Sequence, residues 1–151
     1  MAKQEIPTTL SPELFDYLQG EQLVLLGTVD AESKAPSVNA ISWVKSLSEE
    51  KIRFTVTNNS RIVTNIKENP NVVLTVVALE TVYSINGKAN ILEDTMQDVP
   101  LKLSKIEVII EHVFESMFWG AKVVQEPVYE KTYNEKKAKE LDEKVYKALM
   151  A

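Results

Sequence analysis

Lys51-Ile52-Arg53-Phe54-Thr55-Val56-Thr57-Asn58-Asn59-Ser60-Arg61-Ile62-Val63-Thr64-Asn65-Ile66-Lys67-Glu68-Asn69-Pro70 is the stretch on which the reading of this chain turns. Ile52, Phe54 and Val56 alternate with Arg53, Thr55 and Thr57, the period-two pattern of a strand with one buried face. Asn58-Asn59 ends it. Ile62, Val63 and Ile66 then recur at helical spacing, with Asn59 or Ser60 placed to cap the first free amides. Pro70 disfavours the helical conformation in the residue before it, so the helix is expected to end at Asn69.

A helix start presents unpaired N–H groups and a partial positive charge, and Ser60 and Arg61 add a hydroxyl and a guanidinium there. Two readings stand side by side. One is a cradle for a phosphate; the other, commoner on spacing alone, is an ordinary capped helix with a solvated arginine.

Upstream, Ser11-Pro12-Glu13 marks a helix start, with Leu14, Phe15 and Leu18 as its apolar face and Gly20 able to close it. This helix is expected to lie across the mouth of a sheet. Gln22 to Val29 reads as a strand buried on both faces or nearly so. Asp30 to Lys34 is a turn, and Pro36 to Lys45 a second strand with Val38, Ala40, Ser42 and Val44 on one face. With Ser46 to Glu50 as link, these two strands and the one at 52–57 are expected to form an antiparallel meander.

Downstream, Val72 to Leu79 and Val82 to Leu92 are strands, the second read as one long strand with a glycine bulge at Asn86-Gly87 rather than a hairpin. Asp94 to Val99 is expected as a helical turn. Alternation of Ile106, Val108, Ile110, His112 and Phe114 predicts a strand from Leu103 to Glu115, with Glu107, Glu111 and Glu115 toward solvent. Met117-Phe118-Trp119-Gly120 is an exposed aromatic cluster, followed by a short strand through Val123 and Val124. Asn134 caps a C-terminal helix striped by Ala138, Leu141, Val145 and Leu149. The sum is a mainly β (α+β) chain, one domain over residues 1–151: a six-stranded antiparallel barrel, closed or split, with short flanking helices.

Composition narrows the function. With 151 residues and 44% hydrophobic content the chain can bury a proper core. A net charge of −5 and a pI near 5.0 argue against nucleic acid, which needs a basic stripe. The apolar runs are too short to span a bilayer, and Met-Ala-Lys-Gln-Glu is no signal-peptide core, so a cytoplasmic protein without membrane partners is expected. Having no cysteine removes disulfides, thiol catalysis and iron–sulfur ligation together. There is no G-x-S-x-G, H-E-x-x-H, P-loop or G-x-G-x-x-G run. His112 is the sole histidine, read as a packed or capped residue, and no metal site is expected. Trp43 and Trp119 lie near predicted strand ends, where an indole serves either core packing or the border of a flat aromatic ligand.

The order of Pro36-Ser37-Val38-Asn39-Ala40-Ile41-Ser42-Trp43-Val44, then Ile52-Arg53-Phe54-Thr55-Val56-Thr57, Ser60-Arg61 ahead of Glu68-Asn69-Pro70, a Val/Leu-rich strand and Gly87-Lys88-Ala89 resembles the pyridoxamine 5′-phosphate oxidase-like family of flavin-binding split barrels. The resemblance runs from about Leu14 to Leu92. It implies FMN at a homodimer interface, with Asn39, Ala40, Ile41, Ser42, Trp43, Val44 and Lys45 flanking the isoalloxazine ring. Thr55, Val56 and Thr57 would meet the ribityl chain, Ser60 and Arg61 the phosphate, and Thr64 and Asn65 would add polar contacts. Ile62 stands where the oxidase has a phosphate-binding lysine, and Ala40 where it has an arginine. Two cations fewer shift the load onto Arg61 and main-chain amides. The implied activity is accordingly an FMN-dependent oxidoreductase of unspecified small-molecule substrate, with NADH or NADPH as candidate electron donor. The alternative is a module that binds or stores flavin, haem or another cofactor without turnover.

Overall fold

A computed structural model describes residues 5–151; the reading of the N-terminus as lacking a signal-peptide core rests on Met1 to Glu5, of which the first four lie outside it. Seven strands form one antiparallel sheet in the order β2-β1-β5-β6-β7-β4-β3. In chain order they are β1 Val24–Val29, β2 Pro36–Ile41, β3 Val44–Ser46, β4 Lys51–Thr57, β5 Asn71–Ala78, β6 Thr81–Glu93 and β7 Leu103–Glu115. Among the described residues three helices join them: α1 Pro12–Tyr17, α2 Arg61–Glu68 and α3 Glu135–Met150.

The strand count is seven rather than six because the expected strand from Pro36 to Lys45 is broken at Ser42-Trp43. Its first part pairs with β1, and its second part pairs with β4. The expected meander therefore does not form: β2 and β4 are not neighbours, and β4 lies between β3 and β7. The break is held from a distant part of the chain. The Ser42 carbonyl accepts from the Tyr146 hydroxyl at 2.9 Å instead of joining a ladder, while the Trp43 carbonyl turns to the Thr55 amide at 3.1 Å. The two ends of the strand order are thus linked through two residues of chain, and the sheet curls into a split barrel.

Inside the curl, one face of β1, β4 and β5 is closed: Val24, Leu26, Ile52, Phe54, Leu74 and Val76 are fully buried. The other face of β1 is half-buried, so the strand is closed on one face and nearly so on the other. Ser11 caps α1 by accepting from the Leu14 amide, and Leu14 and Leu18 seal the barrel end. Gly20 takes φ 122° just beyond that helix.

β6 is one long strand, and its register against β7 shifts at Asn86/Gly87, the expected glycine bulge. A Cβ on Gly87 would stand 2.4 Å from the Ile109 carbonyl oxygen, so only glycine allows that approach of the two backbones. Residues 94–99 form no helical turn, and 123–124 no strand; the Val123 amide donates instead to the Glu80 carbonyl.

α3 begins at Asn134, whose side chain accepts from the Lys137 amide. Its Ala138, Val145 and Leu149 are buried, the last two in a second apolar cluster with Met96 and Leu103. Glu111 and Glu115 on β7 are exposed as expected, and this packing corrects the expectation for Glu107 alone. Glu107 is buried beside Arg53 at 3.5 Å, and Arg53 also donates to the Leu149 carbonyl at the end of α3. Cations at a helix C-terminus oppose its dipole, and Lys105 does the same at the Ala151 carbonyl. His112 is exposed rather than packed, its ring tilted against Phe114.

Candidate functional site

A cleft of about 450 Å³ opens between the broken strand, the end of β4, the start of α2 and a segment that follows β7. Asn39, Ala40, Ile41, Ser42 and Trp43 form one wall; Thr55, Val56, Thr57, Ser60 and Ile62 form the base; Lys131 and Tyr133 close it from the far side. β2 runs as the outer strand here and exposes Asn39 and Ala40, so its surface carries little side-chain bulk. Thr55 lines the cleft with its hydroxyl committed to the Ser104 carbonyl at 2.6 Å.

Ser60 is the cap of α2, with its hydroxyl oxygen 3.1 Å from the Ile62 amide. The helix turns Ile62, Val63 and Ile66 into the core, which sets the direction in which its first amides point. Arg61 leaves the cleft. Its guanidinium grips Asp30 with two bonds, 2.6 Å from Nε and 3.0 Å from one terminal nitrogen. This pairing, followed by the Ser33 amide, holds the Asp30 carboxyl far below the usual carboxylate range, and the same carboxylate raises Arg61.

Of the other expected contacts, Val44 is core, Lys45 sits in the β3–β4 ladder opposite Arg53, and Thr64 is exposed on α2. Asn65 is buried: its amide donates to the Thr28 hydroxyl at 3.0 Å and its oxygen accepts from the Ala31 amide at 2.9 Å, fastening α2 to the end of β1. Val44, Lys45, Arg61, Thr64 and Asn65 are therefore not among the residues that line the cleft.

Lys131 and Tyr133 do line it and are absent from the sequence reading. Tyr129, Lys131 and Tyr133 recur at two-residue spacing, which in an extended segment puts them on one side. Tyr129 donates to the Glu21 carbonyl at 3.0 Å, and Lys131 lies 3.4 Å from Asp142 on α3. Asp142 is buried and also accepts from the Trp43 indole. Trp43 thus borders the cleft while its N–H is committed to α3, and Trp119 stands 97% exposed elsewhere.

Among the described residues no group of three or more His, Cys, Asp or Glu is placed to hold a metal ion, and no helix is long and apolar enough to cross a membrane.

Comparison with solved structures finds the same fold at low identity. A protein of Lactobacillus delbrueckii named for pyridoxamine 5′-phosphate oxidase superposes with a TM-score of 0.61 at 21% identity, covering 72% of this chain and 95% of its own. An F420 reductase gives 0.56 at 21% identity, covering 71% and 100%. The haem storage protein HutZ of Vibrio cholerae gives 0.53 at 16% identity, covering 70% and 94%. A search of curated proteins finds no match. The family model for pyridoxamine 5′-phosphate oxidase matches residues 10–123, from the start of the barrel core to just beyond β7. The chain therefore belongs to the pyridoxamine 5′-phosphate oxidase family.

Proposed function

We propose that this protein is an FMN-binding flavoprotein, an FMN-dependent oxidoreductase acting on a small molecule, with its flavin bound near the interface of a homodimer. The cleft is the observation that carries the reading: a strand wall, small at Ala40 and Ser42, faces polar groups at a helix start. Its chemistry suits FMN. Ala40, with no more than a methyl group, leaves room for a planar ring against β2, and Trp43 borders the same wall. The Ser60 hydroxyl and the Arg61 amide offer donors to an anionic tail, the next three amides of α2 being taken by Ser60 itself.

When bound, FMN would supply hydride or electron transfer, and the protein's part would be to bind, orient and shield it. Among the residues that line the cleft none is a carboxylate or an imidazole. No side chain there is assigned as catalytic acid or base. The dimer reading draws on β2, where Val38 is 64% exposed on an outer strand.

Titration with FMN tests the proposal: quenching of flavin fluorescence with saturation, and a shifted visible spectrum, are expected. Absence of both overturns it. The bare chemistry of the cleft also favours a second reading, a module that holds flavin, haem or another cofactor without turnover. NADH or NADPH separates the two. Bleaching of bound flavin on adding donor supports the oxidoreductase; bound flavin that no nicotinamide reduces supports the module.

A further inference from the structure

Residues 124–151 lie beyond the stretch that matches the family model, yet Lys131 and Tyr133 close the cleft. We propose that this C-terminal extension is a strap that completes the ligand site, with Lys131 as the cation that recognises the phosphate of a flavin nucleotide and Tyr133 as an aromatic wall for its ring. This deepens the FMN reading and rests on it.

The charge inventory carries the assignment. Among the residues lining the cleft, Lys131 alone bears a formal charge. Ile62 is apolar, Ala40 has no polar side-chain atom, and Arg61 is gripped by Asp30 away from the cleft. Lys131 is the one cationic side chain lining the cleft that an entering anion meets, and it already has Asp142 as a partner. The lysine is also held in place. It pairs with Asp142 at 3.4 Å and lies 5.7 Å over the Tyr129 ring, with its side chain 27% exposed. An ammonium has three donors, so the Asp142 contact leaves donors for a ligand. A side chain already fixed loses less rotamer freedom on binding.

The strap is fastened at both sides. Tyr129 ties it to Glu21, and Asp142 and Tyr146 tie α3 to Trp43 and Ser42 in the cleft wall. Wall and strap therefore share one set of anchors.

The experiment compares FMN with riboflavin, which carries the same ring without the phosphate, for wild type, Lys131→Ala, Lys131→Arg and Tyr133→Ala. Lys136→Ala, an exposed lysine on α3, is the matched charge control. Loss of a charge-assisted bond predicts FMN binding weaker by about tenfold or more in Lys131→Ala. Riboflavin affinity should stay within about threefold of wild type, and Lys131→Arg should keep most of the FMN affinity, since its charge is retained. Tyr133→Ala should weaken both ligands alike. Equal loss of FMN and riboflavin in Lys131→Ala, unchanged FMN affinity there, or the same loss in Lys136→Ala overturns the assignment while leaving the flavin reading standing. A wild-type protein that binds neither ligand overturns the flavin reading itself and the strap's role with it.

Discussion

The Trp43 indole Nε1–H donates to Asp142 Oδ1 at 2.8 Å, joining the break in the barrel's outer strand to the middle of the C-terminal helix across 99 positions of sequence. The same carboxylate receives Lys131 on its other oxygen. One buried acid thus holds two donors from two different segments. Removing it leaves the half-buried indole N–H without its partner, at a cost of up to about 1–3 kcal/mol. Asp142→Ala should lower unfolding stability by that amount in urea, with a red-shifted Trp43 emission. Asp142→Asn, which keeps an acceptor for the indole, should lose less.

Tyr146 is the second tie between α3 and the wall. Its hydroxyl donates to the Ser42 carbonyl and accepts from the Glu21 amide at 2.7 Å. Burial pushes its ionisation well above the ordinary phenol value, a push that the Glu21 amide partly opposes. The folded value is raised, so the stabilisation is complete below the unfolded value near 10 and fades as pH rises toward the folded one. Thermal midpoints measured from pH 8 upward should hold steady to about pH 10 and then fall. Tyr146→Phe should start lower, having lost two hydrogen bonds, and should show a shallower alkaline decline.

How far these ties were visible beforehand depends on their range. The strand at 51–57, the Ser60 cap and the Asn69 helix end are local, each decided by a few adjacent residues, and the structure has them where their pattern put them. The long β6 with its glycine bulge was equally plain in Asn86-Gly87. The break at Ser42-Trp43 was not, because it is set by Tyr146 from the far end of the chain while the local alternation runs straight through it. Glu107 reads as a surface acid until α3 brings the Leu149 carbonyl to its partner Arg53. The cleft divides in the same way. Its strand wall and Ser60 follow from local pattern and family order, whereas Lys131 and Tyr133 reach it only through the path of residues 124–133. Arg61 shows the converse: its position beside the helix start was correct, and Asp30, from the turn after β1, determines where its guanidinium points.

Asp30 and Arg61 yield an acid-side prediction. The Asp30 carboxyl is held down first by Arg61, then by the Ser33 amide. A depressed folded value means the stabilisation is present above the unfolded value near 4 and is lost as pH falls through the folded one. Stability should therefore decline below about pH 4, over and above the loss from other carboxylates. Arg61→Ala should remove much of that added slope, and comparing urea midpoints of the two proteins at pH 7 and pH 3 measures it. Parallel pH profiles would show that the pair contributes nothing to acid stability.

Val38 offers the sharpest test of the proposed dimer. It projects from β2 opposite Gly27, on the rim of a second hollow of about 680 Å³ lined also by Val73 and Phe114. An exposed valine on an outer strand beside apolar neighbours is a surface from which a second subunit would gain by burial, and a stable pair needs about 800 Å² from each partner. A carboxylate placed there would be desolvated in the dimer and harmless in the monomer, where it stays in water. Val38→Asp should therefore elute as a monomer at concentrations where wild type is a dimer by light scattering, with the helix and strand content of its circular dichroism spectrum unchanged. If the flavin lies at the interface, FMN affinity should fall together with the dimer, and restoring the dimer at higher protein concentration should restore binding. A wild-type monomer at those concentrations, or a Val38→Asp dimer as tight as wild type, would remove this face from the site.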